Sequence, residues 1–214
     1  MPLVTPPFSW ISVSMGILSR LFGGSSSVDV LGDSVWLSQR SKLAGISKMV
    51  NECFAQDRAP IAVVLVAHFP NFLVELKRLG PFEGPVMAML ARELSTFTAS
   101  HASVGEDQSI EIVVGERHPL AKYDEQVVAF ARSLPCQCRI GFHVSLDDPL
   151  LKMLTGEWVE GILRQLGMKE DEAMQSGVIA RRIQVAQRSI EHQMTGDSPA
   201  DSAEHWLEQN CRLS

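Results

Sequence analysis

No run of about 20 apolar residues occurs in this chain of 214 residues, so no segment has the length and hydrophobicity of a membrane-spanning helix. Positive charge is also short. Against 25 Asp and Glu stand 19 Lys and Arg, a net charge of −6, so there is no overall positive field to hold a phosphate backbone, and nucleic acid is not expected as a partner. The four cysteines (Cys53, Cys136, Cys138 and Cys211) are scattered through a chain too large to need cross-links, which fits a reducing cytosol. A secretory signal would place Lys or Arg before an apolar stretch and a small-residue cleavage site after it, and the first residues show neither pattern. What is present is 45% hydrophobic and 21% charged residues, the make-up of a globular domain that buries one proper core.

Several motifs that mark enzymes are missing. A P-loop needs a lysine directly after glycine, and the dipeptide Gly-Lys does not occur. There is no G-x-G-x-x-G, no G-x-S-x-G elbow and no H-E-x-x-H. No cofactor is expected from these patterns.

The first 27 residues read as a separate segment. Within it Met15 to Phe22 has amphipathic spacing, with Ile17, Leu18, Leu21 and Phe22 on one side. Such a helix could lie on a membrane surface or dock on a partner, or the segment is a mobile tail. From Val28 short apolar runs alternate with helical ones, the pattern of a layered α/β sheet, and an α/β domain is expected over residues 28–155. The spacing predicts helices over 41–56, 71–79, 120–134, 157–166 and 176–194, and strands over 61–67, 110–114 and 139–146. Residues 86–97 fit strand or helix equally. A helical extension follows over 156–196, then an acidic tail over 197–214.

Two sets of side chains could carry chemistry. Cys136 and Cys138, with His118 and His143, are zinc-ligand types, but C-x-C is tighter than the usual structural spacing, and packing at a helix-to-strand turn is the expected role. His68 follows the apolar strand, where the carboxyl end of a parallel sheet places functional loops.

Residues Gly115 to Glu191 carry a longer pattern. The order T-E-R-H, an aspartate, Q-L-R-G-R-A-G-R-Q-G-D-P-G, a phenylalanine and S-L-E-D-D-L lies on this chain without a gap. Glu116, Arg117, His118, Asp124, Gln126, Ala131, Phe142, Ser145, Leu146 and Asp148 match, with Asp147 in place of a glutamate. Val159 to Met168 and Ile179 to Glu191 continue it in the same register. This block resembles the second motor domain of SecA, the preprotein translocase ATPase, followed by the start of that family's helical scaffold. The resemblance implies a three-layer RecA-like parallel sheet, of the helicase C-terminal kind, with a C-terminal helical extension.

The departures from the family pattern bear on function. In the family the arginines of the R-G-R-x-G-R run reach nucleotide phosphates held by the first motor domain; the corresponding positions here are Val128, Phe130 and Ser133. Arg132 stands nearby where the family has glycine. The preceding G-R-G-T-D-I motif has no counterpart between Ser100 and Ile110. Two expectations result. The favoured one is a pseudoenzyme: a non-catalytic, SecA-like binding or regulatory module linked to protein transport. Its partner would be a protein, the SecA ATPase or the translocation channel, in the cytoplasm or at the membrane periphery through the N-terminal segment. Phe130, Trp158 and Phe22 are its interface candidates, the first two because they stand at polar family positions. The alternative is an enzyme or ligand-binding domain of new specificity at the residual cleft, built from His68, Glu116, Arg117, His118, Asp124, Gln126 and Arg132.

Overall fold

The all-apolar stretch Ala62–Ala67 has no polar face to offer water, so it is stable only between two layers. In the computed structural model, which describes residues 28–95, 104–154 and 167–212, that stretch is a central strand and every residue of it is buried. In chain order the described elements are β1 (Val28–Val30), β2 (Ser34–Trp36), α1 (Gln39–Phe54), β3 (Ala62–Ala67), α2 (Pro70–Lys77), β4 (Val86–Leu90), β5 (Ser109–Val114), α3 (Ala121–Ser133), β6 (Gln137–Ser145), α4 (Pro149–Leu154), β7 (Met174–Gln175), α5 (Gly177–Gln193) and α6 (Ala203–Asn210).

The sheet runs β4-β3-β5-β6, with β1 and β2 both beside β6 and β7 outermost. All pairings are parallel except that of β7 with β2. Side chains alternate across the sheet. Val63, Leu65 and Ala67 face α1 and α2, packing with Ile46, Val50, Phe72 and Leu76. Val64, Val66, Ile110, Ile112 and Val114 face α3, packing with Val127 and Ala131. This is the three-layer α/β arrangement expected of a RecA-like domain. A third cluster joins Val35, Val144 and Phe69 to Leu150 and Leu151 of α4, to Ile179, Ile183 and Ile190 of α5, and to Trp206 and Leu207 of α6. The helical extension therefore shares a core with the sheet.

Local chemistry sets the element ends. Ser38, Ser176 and Ser202 cap α1, α5 and α6, each accepting from the backbone N–H three residues on. Pro70 opens α2 at a position where no N–H is required. Gly45 lets α1 sit directly on Trp36, since a Cβ there would lie 1.8 Å from the indole ring.

Three readings change. Residues 86–97 resolve into β4, a half-buried edge strand beside β3, then a 3-10 turn over Ala91–Glu93, with residues from 96 on outside the described set. The stretch read as an acidic tail contains α6, whose Trp206 is 2% exposed. Strands β1, β2 and β7 are too short to show alternation in sequence and are defined by their pairings. The helix expected over 157–166 lies outside the described residues.

Candidate functional site

Because the main strands are parallel, their carboxyl ends bring separate loops to one edge, where α/β sheets usually bind ligands. His68 and Phe69 follow β3, Glu116 to His118 follow β5, and Ser145 to Asp148 close β6. Asp124, in the first turn of α3, lies at the centre of the cluster. Its Oδ1 lies 2.9 Å from His68 Nε2, close but not aligned as a hydrogen bond. Asp124 also accepts from the His118 backbone N–H (3.2 Å), from Arg117 (3.2 Å) and from Gln187 Nε2 (2.8 Å). Burial works to raise its pKa, but the contact and charge of His68, the Arg117 guanidinium and the His118 amide together bring it below the usual carboxylate range.

Arg117 pairs with Asp33 on its other side and stacks over Phe142, 3.5 Å from the ring centroid. Glu116 accepts from the backbone N–H groups of His68 and Phe69, both at 3.0 Å, which fixes the turn into α2. Desolvation by full burial outweighs these bonds and the nearby cations and pushes its carboxyl to about 7. His118 lies in an aromatic cage of Phe69, Tyr123 and Trp206, and its Nδ1 accepts from the Leu120 N–H at 3.0 Å. Burial, then the neighbouring His68, lowers it to about 3, so it is neutral at pH 7.

A second buried group lies alongside. Lys42, fully buried in α1, reaches both oxygens of Asp148 at 2.7 and 2.9 Å, and Asp148 also accepts from the N–H and hydroxyl of Ser145. The bidentate pair and its extra donors offset the cost of removing two charges from water.

Five residues of the expected cleft are thus brought together: His68, Glu116, Arg117, His118 and Asp124. Gln126 and Arg132 lie on the exposed face of α3 outside the cluster. Phe130 is half-buried and packs against the sheet, so the aromatic that replaces a family arginine serves the chain's own core. Trp158 and Phe22 fall outside the described residues. Cys136 and Cys138 are buried with their sulfurs 3.7 Å apart, and burial, then its neighbour, pushes the Cys138 thiol up to about 12. His143 accepts from Trp36 Nε1 at 3.2 Å, and burial, then the Lys42 charge, lowers it to about 4. The four zinc-type residues do not converge, and among the described residues no group of three or more such side chains could hold a metal ion.

Sequence reasoning missed Lys42, Gln187 and Asp33. Lys42 and Gln187 had a signal, since each occupies the apolar stripe of its helix, four residues from Ile46 and Ile183 respectively, where a polar side chain needs a buried partner. Asp33 sits in the break between β1 and β2 and had none.

Most of the crevice is filled. Ile183 and Gln187 of α5 and Trp206 of α6 cover the carboxyl edge, with Gln187 Nε2 also donating to the His118 carbonyl at 2.9 Å. Beside Glu116, Arg117 and Asp148 there remains a cavity of about 10 Å³, room for one water. A second cavity of about 190 Å³ lies between the β1–β2 break and α5, lined by Gly32, Asp33, Arg117, Ile183 and Gln187 among others.

A three-layer parallel α/β domain with a closed ionic cluster at its carboxyl edge is the class that fold and site define. No protein-family model matches the chain. It is similar to the protein translocase subunit SecA of several bacteria, and is SecA-like over about half to 72% of its length. The Acinetobacter baylyi subunit is 30% identical over 114 residues, which cover 53% of this chain and 13% of that protein. That of Acinetobacter baumannii is 27% identical over 171 residues, 72% of this chain and 19% of that protein. The Polaromonas sp. subunit is 31% identical over 104 residues, 49% and 11%. The chain thus spans less than a fifth of these relatives' length. Among solved structures, the C-terminal part of the Fun30 ATPase domain covers 71% of this chain and 54% of that one, at 11% identity and a TM-score of 0.37. Among the described residues no helix is long and apolar enough to cross a membrane.

Proposed function

We propose that the chain is a SecA-like pseudo-motor domain without catalytic activity, acting as a binding or regulatory module in protein translocation. Its partner on this reading is the SecA ATPase or the translocation channel, met in the cytoplasm or at the membrane periphery. The observation that carries the reading is the apolar filling of the family's arginine run, and Trp206 of α6, beyond the stretch that follows the family pattern, packs at the carboxyl edge where a nucleotide-binding sheet opens a crevice. Val128 and Phe130, at two positions of the family's arginine run, pack against the sheet and present no cation to a phosphate.

The test is phosphate release by the purified chain with ATP and Mg²⁺, alone and with SecA present. Turnover at background is the expected result. Clear hydrolysis that disappears in Arg132→Ala would overturn the reading. Crosslinking in cells followed by recovery of SecA or the channel supports the translocation role.

One observation favours a second reading, a ligand-binding domain at the residual cleft. Arg117 Nε has no hydrogen-bond partner among the described residues, and Arg117 lines the cavity of about 190 Å³. A small molecule that shifts the Arg117 Nε–H resonance in the wild type and not in Gly32→Leu would favour it.

A further inference from the structure

The outward face of α5 is unlike the rest of the surface. Taking 100° per residue, Val178, Arg181, Val185, Arg188 and His192 fall on one stripe opposite the buried Ile179, Ile183 and Ile190. Their spacing alternates three and four, the pattern of a helix seam that meets another helix. Val178 is 69% exposed and Val185 56%, the two most exposed large hydrophobic residues of the described surface. Arg181, Arg188 and the flanking Arg182 are exposed, and none has a carboxylate partner among the described residues. In a chain of net charge −6 this is a local reversal of sign.

We infer that this stripe is a docking surface for an acidic amphipathic helix of a partner protein. Charge complementarity selects the occupant. Carboxylates flanking an apolar seam would meet Arg181, Arg182 and Arg188 while aliphatic side chains of the seam cover Val178 and Val185. A second copy of α5, parallel or antiparallel, would set arginines against arginines or His192. An anionic membrane would attract the arginines, but surface helices hold to lipid by bulky Trp, Phe or Leu, and two valines offer little area to bury. The inference deepens the binding-module reading by naming the surface and the kind of partner, and it rests on that reading.

The experiment uses the full chain and a synthetic amphipathic peptide of about three heptads with Leu on the seam and Glu flanking it. Fluorescence anisotropy of the labelled peptide is expected to show saturable binding that weakens with added salt. It is expected to fall by about tenfold or more in Arg181→Glu/Arg188→Glu, both exposed positions whose exchange leaves the melting temperature near the wild-type value. No binding, equal binding by the double variant, or equal binding of a scrambled peptide of the same composition would overturn the inference. So would arginine-dependent sedimentation with phosphatidylglycerol vesicles without peptide binding, or arginine-dependent self-association in the ultracentrifuge. Phosphate release measured on the same samples separates the two readings: hydrolysis refutes the pseudo-motor reading, whereas peptide failure with no hydrolysis refutes only the docking surface.

Discussion

Glu116 is buried under the first turn of α2 with its carboxyl pushed from 4.5 to about 7, so it costs stability wherever it is ionised only in the unfolded chain. The sign follows from the raised value. Below about pH 4.5 both states are protonated and there is no penalty; as pH rises from 4.5 to 7 the unfolded state alone loses its proton and stability falls. Both hydrogen bonds to Glu116 go to Oε1, which an amide retains. Glu116→Gln is therefore expected to match the wild type near pH 4 and to exceed it by up to ~3 kcal/mol near pH 8 in urea denaturation, since one pKa unit is worth about 1.4 kcal/mol. A difference that did not change with pH would contradict the assignment. His118 and His143, both lowered in the fold, lose stability as pH drops below 6.5, an effect common to both proteins that cancels in the comparison. At this scale much of the cluster was legible. Glu116 to His118 and Asp124 lie within the family pattern, and His68 follows a run that could only be a buried strand. Asp33 was not, because the bend that brings it to Arg117 lies between two strands of three residues each.

Among the elements, α6 was the least legible in sequence. Its Glu204, His205 and Glu208 read as a polar tail, and Trp206 and Leu207, with the small Ala203, supply its apolar area. They suffice because α4, α5 and the end of β6 already form a hollow that Trp206 fills, with the indole N–H reaching Asp197 at 3.3 Å. Asp197 in turn receives Lys122 and Tyr123 of α3, and the Asp201 carbonyl accepts from the Asn71 N–H of α2, so the segment is tied down on both sides. Trp206→Ala should lower stability by about 3–5 kcal/mol, the usual cost of emptying a buried aromatic site, measured by guanidinium denaturation. A loss under about 1 kcal/mol would mean that α6 does not close the crevice. The long helices were legible because α1, α3 and α5 each carry an apolar stripe. The short strands had no such pattern, and hydrogen bonding of β1 and β2 to β6 and of β7 to β2 is what makes them strands.

For the molecule as a whole, the third cluster links sheet and C-terminal helices: Val35 and Val144 come from strands, Ile183 and Trp206 from helices far along the chain. A core that crosses such a boundary couples the two parts. Far-UV circular dichroism and tryptophan fluorescence are expected to report one coincident unfolding transition. Early melting of the helices ahead of the sheet would show that the extension is a separate unit. The amino-acid sequence by itself determined the α/β class, the central strand, the stripes of the long helices and the loss of the family's arginine run, because periodicity and residue type are local properties. Only the tertiary structure decided that the carboxyl edge is closed. That closure depends on Gln187, Trp206 and Lys42 finding partners 63, 9 and 106 residues away along the chain, at Asp124, Asp197 and Asp148, and no local pattern encodes such distances.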